Sequence, residues 1–101
     1  MDDISAEELI KLLAAHQEIL LLDVREPIEY HTFNFGGLNI PLGKTQQILA
    51  DDEFEFSTEK PIVVVCLHGI RSKTAKVILT QFGYKNVRNL TGGLVKLQRI
   101  S

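Results

Sequence analysis

Cys66 is the only cysteine in the chain, and it opens the stretch with the greatest chemical potential, Cys66-Leu67-His68-Gly69-Ile70-Arg71-Ser72. A lone thiol can be a small buried filler, a reactive nucleophile or a site of intermolecular pairing. Its neighbours bear on the choice. An apolar run, Ile62 to Leu67, leads into the loop, and an apolar stripe at helical spacing follows it. The thiol therefore lies where a buried strand ends and a helix begins. Gly69 permits a sharp curl that points backbone N–H groups inward, and these add to the positive end of the helix dipole. Such a position favours the thiolate, which is the nucleophilic form, and would stabilise an anion carried on the sulfur.

Arg71, Lys73 and Lys76 crowd the first turn of the same helix, where the macrodipole disfavours cations. A bound anion would account for them, with the Arg71 guanidinium offering forked donors and the lysines steering. The competing reading makes Cys66 a packed hydrophobe and the lysines solvated surface. Strand end, Gly69, Arg71 and helix start together favour a nucleophile site.

The elements that must position this loop are legible from pattern. Ser5-Ala6-Glu7-Glu8 has capping-box spacing and predicts a helix over Ala6 to His16. Ile19 to Val24, broken only by Asp23, and Ile62 to Cys66, introduced by Pro61, read as strands covered on both faces. Between them a short helix is expected from Glu26 to His31, a short strand from Leu38 to Leu42, and a helix from Lys44 to Asp51. Ala75, Ile78, Leu79 and Phe82 form the stripe of the helix after the loop, which Gly83 ends. A last strand is expected over Asn86 to Leu90, and Gly92-Gly93 opens a final helix to about Arg99. Alternation of this kind predicts a parallel sheet flanked by helices, with ligands bound beyond the carboxyl ends of the strands. Cys66 stands at such an end.

Length and composition set the outer bounds. The 101 residues, 45% hydrophobic, read as one domain over residues 1–101 that can bury a core without disulfides or metal. No apolar stretch approaches the roughly 20 residues of a bilayer span, and no basic-then-apolar leader follows Met1. A cytoplasmic protein with no membrane partner is expected. The net charge of −2 conceals a polarity: all thirteen acids precede Lys60, whereas eight of the eleven cations lie from Lys60 onward. The basic part lacks aromatics interleaved with its cations, so nucleic acid is not an expected partner.

In order and spacing these segments resemble the rhodanese family of sulfurtransferases, over nearly the whole chain. The resemblance is carried by Ser5 to Leu9, Leu22-Asp23-Val24-Arg25-Glu26 with Glu29-Tyr30, Asn39 to Leu42, the loop Cys66 to Ser72, Gly83 to Val87, and Leu90-Thr91-Gly92-Gly93. It implies an α/β fold with about five parallel strands and helices on both faces. It makes Cys66 the catalytic residue, holding a sulfane sulfur as a persulfide, with Leu67, His68, Gly69, Ile70, Arg71 and Ser72 around it. Arg71 would bind an anionic donor such as thiosulfate. Cyanide, a thiol or a sulfur-relay protein would be the acceptor, its choice shaped by His68 and Ile70, and no cofactor is needed. Cys66 through Arg71 makes six positions, the length that resembles sulfur transfer; related phosphatases and arsenate reductases use one more.

Asp23 and Arg25 are expected to brace the loops around the site, as the family resemblance implies, and Glu29 and Tyr30 to be structural. Asp51 to Glu55, His16 and His31 lack metal-ligand spacing, so no metal is expected. Two positions depart from the family pattern: Thr32-Phe33-Asn34 replaces its usual Gly-His-Ile, and Leu97 stands in place of a tryptophan. A non-catalytic docking module on the same scaffold, or a regulatory domain of a larger protein, is the alternative, and the presence of Cys66 counts against the docking module.

Overall fold

The structure, a computed structural model, describes residues 2–101. Met1, from which no leader is expected, lies outside the described residues. In chain order the elements are α1 (Ala6–Ala14), β1 (Leu20–Asp23), α2 (Pro27–Thr32), β2 (Leu38–Asn39), α3 (Leu42–Ala50), β3 (Ile62–Val65), α4 (Ile70–Gln81), β4 (Val87–Asn89) and α5 (Gly93–Ile100). Every strand pairing is parallel, in the order β2-β1-β3-β4.

The sheet has four strands where about five were expected. The missing edge is reduced to one residue: Ile4 forms a parallel bridge to Leu90, with Ile4 N–H donating to Asn89 O at 3.0 Å and Thr91 N–H to Ile4 O at 2.9 Å. A strand cannot lengthen there because Ser5 already caps α1, its Oγ accepting from Glu8 N–H at 3.0 Å. The reciprocal half of the expected capping box is replaced, since the Glu8 carboxylate meets Arg88 at 2.9 Å.

Strand alternation sorts the core into two layers. Leu22, Val24, Ile62, Val64 and Cys66 face α3 and α4, packing with Leu49, Ala75 and Leu79. Leu21, Val63 and Val65 face α1 and α5, packing with Leu9, Leu94 and Leu97. The central strands are apolar at both parities because both faces are covered. Leu97, at the family's tryptophan position, is 1% exposed and completes the second layer.

The start of α5 closes against the chain leaving β3. Leu94 N–H donates to Cys66 O at 2.9 Å and Val95 N–H to Leu67 O at 3.1 Å. Gly93, at φ +66°, makes this approach possible, because a Cβ there would lie 2.4 Å from Leu67 O and 2.6 Å from His68 N. Both neighbours are backbone and cannot yield cheaply. Gly93→Ala should therefore lower stability by about 2–4 kcal/mol, read as a shift in urea midpoint with an unchanged slope.

Candidate functional site

Cys66 follows directly on β3 and is 1% exposed. The chain then curls through Gly69, whose φ of +89° is the left-handed conformation a side chain would resist, and enters α4 at Ile70. Arg71 lies in the first turn of that helix, and Ile70 opens it. The curl turns the Gly69 N–H onto Cys66 Sγ at 3.1 Å and the Ser72 N–H onto it at 3.3 Å. Sulfur thus sits at the amino end of a twelve-residue helix and accepts from its backbone. His68 and Ile70 point outward, Ile70 being 76% exposed.

Ser72 is fully buried, with its Oγ 3.2 Å from Sγ. Beneath it lies Asn89, a residue the sequence reading missed. Asn89 Nδ2 donates to Gly69 O at 3.2 Å, which fixes the carboxamide so that its Oδ1 accepts from the Ser72 hydroxyl. The Ser72 oxygen thus lies between Asn89 Oδ1 and Cys66 Sγ. Asn89 in turn is held through its backbone N–H by the Asp3 carboxylate at 3.2 Å. The only sequence signal for Asn89 was its place on the last strand, next to the strand that delivers Cys66.

Asp23 and Arg25 form a buried pair that reaches the neighbouring loop. Both are 1% exposed; Arg25 Nη2 lies 2.8 Å from Asp23 Oδ2 and donates to Phe33 O at 2.8 Å. Its guanidinium also lies 4.9 Å from the Phe33 ring centroid. The departure at Thr32-Phe33-Asn34 therefore supplies a carbonyl and an aromatic face for Arg25. Asn39 Nδ2 ties β2 to the same loop by donating to Asp23 O and Arg25 O at 3.0 and 2.9 Å.

The cations are arranged otherwise than their crowding suggested. Arg71 makes a forked pair with Glu29, at 2.7 and 2.9 Å, and Lys76 turns to Asp3 Oδ1 at 2.9 Å. Arg71 and Lys76 thus meet carboxylates of the chain itself. Lys85 pairs with Glu59, Arg88 with Glu8 and Lys60 with Glu18. Apart from Asp23–Arg25, each ion pair among the described residues joins the acidic first part of the chain to the basic last part. The charge polarity of the sequence becomes contact between segments once the chain folds.

Two recesses flank the loop. One, of about 180 Å³, is lined by Arg25, Glu29, Thr32, Phe33 and Leu67. The other, of about 470 Å³, is lined by Asp3, His68, Gly69, Ile70, Lys73, Asn89, Thr91 and Gly92. A further hollow at the amino ends of the strands, lined by Ile4, Ile19, Pro61 and Ile62, is remote from the sulfur.

Comparison with known proteins fits this geometry. The model of the rhodanese-like domain matches residues 5–99. The chain belongs to the rhodanese-like domain family. A sulfurtransferase of Allochromatium vinosum is 30% identical to this rhodanese-like chain over 99 residues, covering 98% of it and 90% of the relative. A Schizosaccharomyces pombe protein provisionally named a mitochondrial thiosulfate sulfurtransferase is 40% identical over 97 residues, covering 83% of this chain and 66% of its own. The chain thus spans just under two thirds of that relative's length. Among solved structures, the human single-domain sulfurtransferase TSTD1 superposes with a TM-score of 0.85 at 25% identity, covering 98% of this chain and 96% of TSTD1. The rhodanese fold is therefore shown, as is membership of a family that includes relatives named as sulfurtransferases.

Two predictions follow from the geometry. Asn89→Ala leaves the buried Ser72 hydroxyl and the Gly69 carbonyl without their partner, and should cost about 2–4 kcal/mol in urea unfolding. Hydrogen bonds from Arg71 hold the Glu29 carboxyl down to about 2, from an ordinary 4.5. Its contribution to stability is complete above pH 4.5 and is lost as the pH falls through about 2. Glu29→Gln should flatten the pH dependence of the urea midpoint across that window.

Proposed function

We propose that this rhodanese-like chain transfers sulfane sulfur through a persulfide on Cys66, from a donor such as thiosulfate to cyanide, a thiol or a sulfur-relay protein. The observation that carries the reading is the pair of backbone N–H groups on Cys66 Sγ, set by a left-handed Gly69 at a helix start. Neither donor can move away without uncurling the loop, so both are in place before any charge develops on sulfur.

The chemistry balances as two displacements. The Cys66 thiolate attacks the outer sulfur of thiosulfate; the sulfur–sulfur bond of the donor breaks, and sulfite leaves with its electron pair. The enzyme now carries Cys66–S–S⁻. An acceptor then attacks the outer sulfur, for cyanide giving thiocyanate, and the Cys66 thiolate is returned. The Ser72 hydroxyl, 3.2 Å from the sulfur, can serve a thiolate there by turning its one proton away from Asn89 Oδ1.

The other loop residues have supporting parts. Leu67, Gly69 and Ile70 shape the rim by their backbone, and the exposed side chains of His68 and Ile70 meet the acceptor first. Asp23 and Arg25 hold the facing loop in register. A lone reduced thiol suits a reducing compartment such as the cytoplasm.

The decisive measurement is intact mass after incubation with thiosulfate. Wild type should gain one sulfur, about 32 Da by atomic weight, at Cys66, and cyanide should remove it. Cys66→Ala should gain none; an equal adduct on that variant, or none on wild type, would sink the proposal.

A further inference from the structure

Arg71 is the one cation of the six-position loop, and both of its terminal nitrogens are taken by the Glu29 carboxylate, at 2.7 and 2.9 Å. Glu29 is placed firmly for this. It stands in the first turn of α2, and its Oε1 also accepts from Glu26 N–H at 3.0 Å, which anchors the side chain to its own helix start. The pair is partly shielded, with Arg71 and Glu29 side chains 37% and 29% exposed. The other cation lining the recess on this side, Arg25, is cancelled in the same way, being buried against Asp23. An anion approaching through the recess on this side therefore meets a paired guanidinium and a carboxylate that competes for it.

The space next to Glu29 has a different character. The recess of about 180 Å³ places Phe33, Leu67 and the Thr32 side chain beside Glu29 and Arg25. These walls can cover a small alkyl body. They offer a compact dianion little beyond groups that already have partners.

Resting on the reading of Cys66 as the persulfide carrier, we propose that Glu29 is a specificity-determining residue that selects the sulfur donor by charge. By holding Arg71 it discriminates against small oxyanion donors such as thiosulfate and favours alkyl persulfides, RS–SH. For such a donor the Cys66 thiolate attacks the outer sulfur, the sulfur–sulfur bond of the donor breaks and RS⁻ leaves with the electron pair. Cys66 is left as Cys66–S–SH, with no oxyanion to seat at any point.

The test compares two donors, thiosulfate and an alkyl persulfide, on wild type and Glu29→Gln, with loading of Cys66 followed by intact mass. Glutamine keeps the oxygen that caps Glu26 N–H and removes the charge, so the short helix retains its start. The KM for thiosulfate should fall about three- to tenfold in the variant, the size expected for a partly exposed charge pair, while the KM for the alkyl persulfide stays within about twofold. Unchanged loading from the persulfide also reports that the variant is folded. An unchanged KM for thiosulfate overturns the inference, because the guanidinium then does not meet the donor. A raised one overturns it too, because Glu29 then orients Arg71 for the anion; so does an equal loss with both donors, which marks a purely structural residue. Absence of loading from both donors in wild type would instead remove the sulfur-transfer reading itself.

Discussion

The structure depends on one constraint: Cys66 Sγ must receive hydrogen bonds from backbone N–H groups three and six residues further along the same chain. That requirement forces the left-handed turn at Gly69, fixes where α4 begins, and needs a support beneath the curl. Asn89 supplies the support and the amino end of α5 supplies the lateral wall. A loop without these two would relax toward solvent, because its N–H groups would exchange the sulfur for water at little cost. The parallel sheet matters to function chiefly because it delivers β3 and β4 side by side, so that Asn89 lies below Gly69.

Electrostatics follow the same logic of internal pairing. A sequence whose acids and cations are segregated looks poised to bind a charged partner. In the folded chain, Glu8, Glu18, Glu29, Glu59 and Asp3 each meet a cation from the later part. Exposed pairs of this kind add little stability one by one. Their effect is on which segments meet: Arg88 reaches Glu8 and the carbonyls of Asp2 and Asp3, so the amino-terminal segment is tied to the last strand by charge and by the bridge at Ile4.

Much of the fold was legible because its signals are local. The apolar runs at Ile19 to Val24 and Ile62 to Cys66, the Ser5 cap and the stripe from Ala75 gave elements within a few residues of their observed limits. The site was legible as far as it is continuous, from Cys66 to Ser72. Asn89 escaped notice because it is 17 residues from the Ser72 it supports, and nothing in Val87-Arg88-Asn89 distinguishes a working amide from a strand end. The partner of Arg71 escaped for the same reason, being 42 residues away. A fifth strand was expected on the family resemblance, whereas Ser5 commits the chain to helix one residue after Ile4. Patterns within a window report local structure; contacts between windows are set by packing.

The support of the sulfur loop also orders events in time. Asp3 holds Asn89, Asn89 holds Gly69, and Leu94 and Val95 hold the exit from β3, so the site draws on both extremities of the chain. During synthesis the segment around Cys66 leaves the ribosome before the residues that curl it, and an incomplete chain presents an ordinary, accessible thiol. Closing loops of this span is slow relative to helix formation. The curl that aims the Gly69 and Ser72 N–H groups at Cys66 Sγ is therefore secured late, once Asp3, Asn89 and α5 have come together around it.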